Sequence, residues 1–259
     1  MATEYIPAER QEVITEMVSH HGVVTVAELS QLLKVSEITI RRDLGILEGK
    51  GVLERTHGGA IGSRRMSAEP FYDQKNRVEM AEKVSIGKAA AALVNSGDTV
   101  LVNSGSTSLQ VIRQIAGNDI RIITSNIGAV LERPTEGTEV ILIGGVYRPQ
   151  SNSLVGRFAS LTLEQVYGSK AIIGVDGVSY KYGLTTPNHQ EAGIASLMIE
   201  RTRGPVIVVA DHTKIGVVSN FLTARIERVD FLVTDSGFEE EYREDLEKAG
   251  VEIIIAGVS

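Results

Sequence analysis

Apolar positions in the first sixty residues recur first at helical and then at strand spacing. Ile14, Met17 and Val18 give one stripe, predicting a helix over about 8–20 that stops at Gly22. Thr25-Val26-Ala27-Glu28 has the form of a capping box, in which the Thr and Glu side chains satisfy each other's backbone amides. The short helix it opens turns Leu29, Leu32 and Leu33 inward, and after a turn at Lys34-Val35, Ser36 is placed to cap a third helix. On that helix Ile40, Leu44 and Leu47 define the buried side, while Glu37, Ile38, Arg41, Arg42 and Gly45 fall opposite. Gly49 and Gly51 end it. Residues 52–55 read as a strand, His57-Gly58-Gly59 as a tight turn, and Ala60-Ile61 as the return strand.

From residue 62 to 76 the apolar pattern lapses, and this stretch reads as a linker between a domain at 1–61 and one at 77–259. Beyond it, Val- and Ile-rich runs at 99–103, 121–125, 140–143, 171–175, 205–210, 231–234 and 252–255 alternate with amphipathic helices. Such an alternation predicts an α/β fold with a mostly parallel, Rossmann-like sheet covered by helices on both faces.

Composition narrows the chemistry. The 259 residues contain no cysteine, which excludes disulfides, thiolate metal sites and cysteine nucleophiles and suits a cytoplasmic protein. No stretch approaches the roughly 20 apolar residues of a membrane helix, and residues 1–5 lack the basic-then-apolar order of a signal peptide. His20 and His21, adjacent on a helix, cannot both face one metal, and neither a metal nor a cofactor is expected. The net charge of −7 argues against a polyanionic partner, but its distribution does not. Residues 1–38 carry 2 basic and 6 acidic side chains, whereas residues 39–65 carry 6 basic and 3 acidic ones. A sign change within one small domain fits a face turned toward an anion, or an ordinary mixed surface.

Two helices joined by a short turn, the second exposing arginines near its start, form a helix-turn-helix, here spanning about 24–43 and followed by a hairpin wing. Ser36 and the free amides beside it can hold a phosphate. Thr39, Arg41 and Arg42 can reach phosphates or base edges, and Arg55 and His57 on the wing can touch the neighbouring backbone or minor groove. The expected partner is double-stranded operator DNA, read by a homodimer or homotetramer, because one such helix reads too few base pairs alone. The alternative is a protein-interaction module.

In the second domain, Ser104-Gly105-Ser106-Thr107 follows a strand and opens a helix, where glycine lets backbone approach an anion and hydroxyls and amides donate to it. A plain strand-to-helix turn has the same form. Residues 124–126, 144–145, 174–177, 210–214 and 234–237 add polar groups at other strand ends, where open α/β sheets bind ligands. Asp211 is equally a cap for its turn, and His189 and His212 read as packing histidines. Lys214 lies in a loop beside the candidate anion site.

The run from Val35 to Leu44 (VSEITIRRDL), then Leu47-Glu48, Gly51 and Arg55-Thr56-His57-Gly58-Gly59-Ala60, resembles the DeoR family of bacterial regulators. The resemblance extends over nearly the whole chain. It implies that residues 36–47 are the recognition helix, with Ser36, Glu37, Ile38, Thr39, Arg41 and Arg42 toward DNA and Asp43 structural. It also implies an effector domain similar to pentose-phosphate isomerases that binds a phosphorylated sugar. Ser104, Gly105, Ser106 and Thr107 would hold the phosphate, Lys214 would face the ligand, Asp176 would meet sugar hydroxyls, and Asn126 and Glu191 would assist. Where the family commonly has Asp and Thr, this chain has Asn103 and Ser106. Ser106 keeps the hydroxyl, whereas Asn103 removes a charge. The expected function is a repressor of carbohydrate-metabolism genes that is not an enzyme. The alternative is a sugar-phosphate isomerase with an accessory DNA module, using Asp176, Glu191, His189 and Lys214 as acid and base.

Overall fold

The computed structural model describes residues 6–21, 23–56, 58–62, 64–65, 71–117, 119–132 and 136–257. The chain divides into two units, residues 1–65 and 66–259. Among the described residues no helix is long and apolar enough to cross a membrane.

In the first unit, α1 (Pro7–His21), α2 (Val26–Leu33) and α3 (Glu37–Gly49) pack with strands β1 (Val23–Thr25), β2 (Leu53–Arg55) and β3 (Gly59–Gly62). The antiparallel order β1-β3-β2 adds a strand to the expected hairpin. Three residues are too few to show periodicity, and Thr25 ends β1 while also capping α2. Its hydroxyl accepts from Glu28 N at 3.1 Å, and its own amide donates to Glu28 Oε2 at 2.9 Å, completing the capping box. Ile14, Val18, Leu29, Ile40, Leu44, Leu47 and Leu53 close the core, as the stripes predict. Leu32, expected inward, is 54% exposed.

The second unit follows from its apolar runs. Strands β4 (Thr99–Val102), β5 (Arg121–Thr124), β6 (Glu139–Leu142), β7 (Lys170–Gly174), β8 (Val206–Val209), β9 (Phe231–Asp235) and β10 (Glu252–Ala256) pair in parallel in the order β10-β9-β8-β7-β4-β5-β6. The order reverses between β4 and β7, which pair Val100 with Lys170 and Val102 with Ile172. This is the topological switch point, where the two flanking loops diverge and leave a crevice. Helices cover both faces. Val100 and Val102 pack under α5 (Met80–Ala91) and α6 (Ser106–Ile115) with Ile86, Ala90, Ile112 and Ile115. Leu101 points to the other face, against Ile194 and Met198 of α8 (His189–Glu200), with α7 (Arg157–Leu163) and α9 (Arg243–Lys248) alongside. A one-turn helix, α4 (Tyr72–Lys75), falls in the stretch read as linker; residues 63 and 66–70 of that stretch lie outside the described residues.

Helices α5 and α6 approach closely at Gly87, where an added Cβ would lie 2.8 Å from Gln110 Cβ and 2.9 Å from its carbonyl carbon. Alanine improves helix propensity by about 1 kcal/mol, while overpacking costs about 1–3 kcal/mol. The steric cost is expected to win, so Gly87→Ala should lower the midpoint of urea unfolding. An unchanged or higher midpoint would show that the helices part without loss.

Candidate functional site

On the first unit, Ser36 caps α3 through Thr39 N, and its hydroxyl lies 2.9 Å from that of Thr39. With Ile40, Leu44 and Leu47 buried, the opposite side carries Glu37, Ile38, Arg41 and Arg42, all exposed. Ile38 is 81% exposed, an apolar side chain left in water on a face otherwise charged. Arg41 reaches Glu37 only at 3.5 Å, and among the described residues Arg42 forms no ion pair. Asp43 turns inward instead: its Oδ2 accepts from Arg10 Nε of α1 at 2.5 Å, as the structural reading of Asp43 requires. Arg55 is exposed on β2, and its guanidinium passes 3.7 Å from where a Cβ on Gly45 would sit. His57 lies outside the described residues. The candidates from 36 to 42 and Arg55 therefore stand on α3 and the adjoining strand.

The second unit holds a cavity of about 290 Å³ at the switch point. Loop 103–107 after β4 and residues 174–176 after β7 line it, joined by Lys83 of α5, Lys75 of α4, Glu191 of α8 and Lys214. Seven expected ligand residues meet here: Ser104, Gly105, Ser106, Thr107, Asp176, Glu191 and Lys214. Asn126 does not reach the lining. It is fully buried, its Nδ2 donating to Gly105 O at 3.0 Å and its Oδ1 accepting from Gly128 N, so it holds the loop from behind.

Gly105 takes φ +144°, a backbone closed to other residues without strain, and turns the chain into α6 with no side chain capping the helix. The positive end of α6 thus opens on the cavity. Asn103 fixes the two loops together. Its Oδ1 accepts from Gly174 N at 2.7 Å and from Ser108 Oγ at 3.0 Å, while its Nδ2 donates to Gly174 O at 2.8 Å. A carboxylate there would lack the donor and set an oxygen against the Gly174 carbonyl. The departure at Asn103 is therefore a structural clamp.

Cations and carboxylates are segregated by pairing. Asp176 is bound by Lys75 Nζ at 2.5 Å and Thr186 Oγ1 at 2.9 Å. Glu191, on the first turn of α8, accepts from Arg148, Ser151 and Ser153, from Arg148 at 3.2 Å and Ser153 at 2.9 Å. Lys83 is buried, donating to the carbonyls of Lys75 and Val78 at 2.6 and 2.5 Å, with Asp211 Oδ2 at 4.0 Å. Burial lowers its pKa, opposed by Asp211 and reinforced by Lys214. Asp211 also caps the turn that carries Lys214, through Thr213 N. Lys214 itself pairs with no carboxylate among the described residues. His212 packs against Asp235, its Nδ1 2.8 Å from Oδ1, and His189 lies against Phe221. The site thus offers an uncapped helix start and an uncompensated ammonium for an anion, and anchored carboxylates and hydroxyls for a polyol.

Sequence reasoning missed Lys75, Lys83, Ser151, Thr186 and Thr223. A signal for Lys83 existed: it precedes Ile86, Gly87 and Ala90 by three, four and seven positions, which places a lysine on the buried stripe of α5.

Residues 10–64 match the model of the DeoR-like helix-turn-helix domain, and residues 78–236 that of the DeoR C terminal sensor domain. The chain belongs to the DeoR family. Relatives match along nearly their whole length. The HTH-type transcriptional regulator GlpR of Haloferax volcanii is 34% identical over 250 residues, 96% of this chain and 98% of its own. A putative aga operon transcriptional repressor of Escherichia coli O157:H7 is 34% identical, covering 96% and 94%. The HTH-type transcriptional repressor GlcR of Bacillus subtilis is 31% identical, covering 95% of each chain. A solved ribose 5-phosphate isomerase A from Methanocaldococcus jannaschii is similar at 15% identity over 53% of this chain and 55% of its own, with a TM-score of 0.39. This DeoR-family chain is a transcriptional regulator with a DNA-binding domain and a sensor domain.

Proposed function

We propose that this regulator represses carbohydrate-metabolism genes in the cytoplasm, binding operator DNA as a homodimer or homotetramer under the control of a phosphorylated sugar. The observation that carries the sugar-phosphate reading is the switch-point cavity, which the uncapped start of α6 and Lys214, without a carboxylate partner among the described residues, line together with Asp176 and Glu191. A phosphate accepts from the helix-start amides and Lys214; hydroxyls donate to the carboxylates. Repression is supported by relatives named as repressors. The ligand shifts DNA binding only as far as it prefers one arrangement of the recognition helices. The test is fluorescence anisotropy on the DNA upstream of the protein's own gene, at fixed salt, against a panel of sugar phosphates and the matching free sugars. One ester that moves the affinity while its free sugar does not would support the reading. Specific DNA binding indifferent to every ester would sink the sugar-phosphate assignment.

We further infer that Ser36, Glu37, Ile38, Thr39, Arg41, Arg42 and Arg55 face DNA. Arg42→Ala is expected to weaken operator binding by about 1–3 kcal/mol and relax preference at one base pair if Arg42 reads a base edge. If it grips phosphate, all sequences should weaken alike and the salt slope should fall by about one. Unchanged binding would remove Arg42 from the interface.

A further inference from the structure

Residues 71–79 are held to the cavity by groups that belong to the cavity. Tyr72 N donates to Gln150 O at 2.8 Å, beside Ser151. Lys75 Nζ binds Asp176 at 2.5 Å. The Lys75 carbonyl accepts from Lys83 Nζ at 2.6 Å and from Ser106 Oγ at 3.4 Å, and the Val78 carbonyl accepts from Lys83 Nζ. The segment so pinned is the start of the sensor unit, and five residues, 66–70, separate it in sequence from the DNA-binding unit.

We propose that residues 71–79 are a strap whose latch, Lys75 on Asp176, is the element that senses a dianion at the start of α6. The inference rests on the anion reading of the cavity given above. Its logic is competition for two groups. The Ser106 hydroxyl has one hydrogen, so donating it to a phosphate takes it from the Lys75 carbonyl. A phosphate dianion beside α6 also competes with the single charge of Asp176 for the Lys75 ammonium. Both exchanges act on Lys75, so occupancy re-seats the strap. Lys83 holds the Lys75 and Val78 carbonyls of the strap from α5, with Asp211 at 4.0 Å. Lys75 is thus a residue through which the sensor unit registers its ligand, and the change arises in a stretch that follows the DNA-binding unit in sequence by five residues.

The test is hydrogen–deuterium exchange on the full-length protein, read at the strap amides of Tyr72, Lys75 and Asn76, with inorganic phosphate as probe. Without phosphate, Lys75→Met and Asp176→Asn are each expected to speed exchange there on the order of tenfold, the loss of one charge-assisted hydrogen bond. The double variant should exchange no faster than either single one, since all three lose the same bond. Phosphate should change strap exchange strongly in the wild type and only weakly in Lys75→Met, where the exchange of the Ser106 hydroxyl alone remains. Either single variant with wild-type exchange would overturn the latch. An equal phosphate response in wild type and Lys75→Met would overturn Lys75 as the sensor. If the variants behave as expected but phosphate leaves the wild type unchanged, the anion reading of the cavity fails and the latch alone stands.

Discussion

Replacing Lys214 by alanine is expected to leave operator affinity within about twofold of wild type while weakening the effector on the order of 10- to 100-fold, the worth of a charge-assisted hydrogen bond of about 1.5–3 kcal/mol. Three observations set that expectation. Lys214 is half-buried at the cavity wall and pairs with no carboxylate among the described residues, so its removal strands no internal charge. Its ammonium acts on Lys83, whose charged form it disfavours, so alanine relieves a repulsion in the empty site. Its backbone position is set by the Asp211-capped turn, which alanine keeps. The variant should therefore fold normally, bind DNA and ignore effector at concentrations that shift the DNA affinity of the wild type. Anisotropy titrations of both proteins against one DNA, with increasing effector, check it. A normal response from Lys214→Ala would move the phosphate elsewhere in the cavity.

A larger effect on stability is expected at Asp43, which the resemblance already implies is structural and does not face DNA. Asp43→Ala leaves Arg10 charged at a site where the pair is nearly sealed, with side chains 9% and 4% exposed. Removing one partner of a buried pair costs about 3–5 kcal/mol. Small domains hold only about 5–15 kcal/mol in total, so the DNA-binding unit should be partly unfolded at ambient temperature and DNA binding lost with it. Replacing both partners by apolar residues, Arg10→Met with Asp43→Leu, should recover most of the loss, because no charge is then left buried. Thermal melts of the three variants decide between packing and recognition. Asp43→Ala that melts with the wild type yet fails on DNA would make Asp43 a DNA contact.

Much of this architecture was legible because parallel strands covered on both faces read as unbroken apolar runs. All seven were visible, and the polar loops after the first and fourth of them turned out to flank one crevice. What stayed hidden depends on long-range placement. The short antiparallel pieces 177–179, 183–186 and 221–224 carry Thr186 and Thr223 to the cavity, but three or four residues are too few to show a period. Lys75 fell in a polar stretch that reads as linker, since its partner lies 101 positions away. Asn126 carries a side chain as polar as its neighbours, and only the fold decides that it faces Gly105 rather than the ligand.

The reversal of strand order between β4 and β7 also has a consequence during synthesis. Strands β4, β5 and β6 can pair as they leave the ribosome, but the remaining side of β4 waits for β7, and Lys170 follows Val102 by 68 positions. At about 5–20 residues per second, the nascent chain shows an open Thr-Val-Leu-Val edge for several seconds before its partner exists. Such an edge is a template for a neighbouring chain on the same messenger, so aggregation on crowded polysomes should be governed by how quickly residues 103–170 are translated.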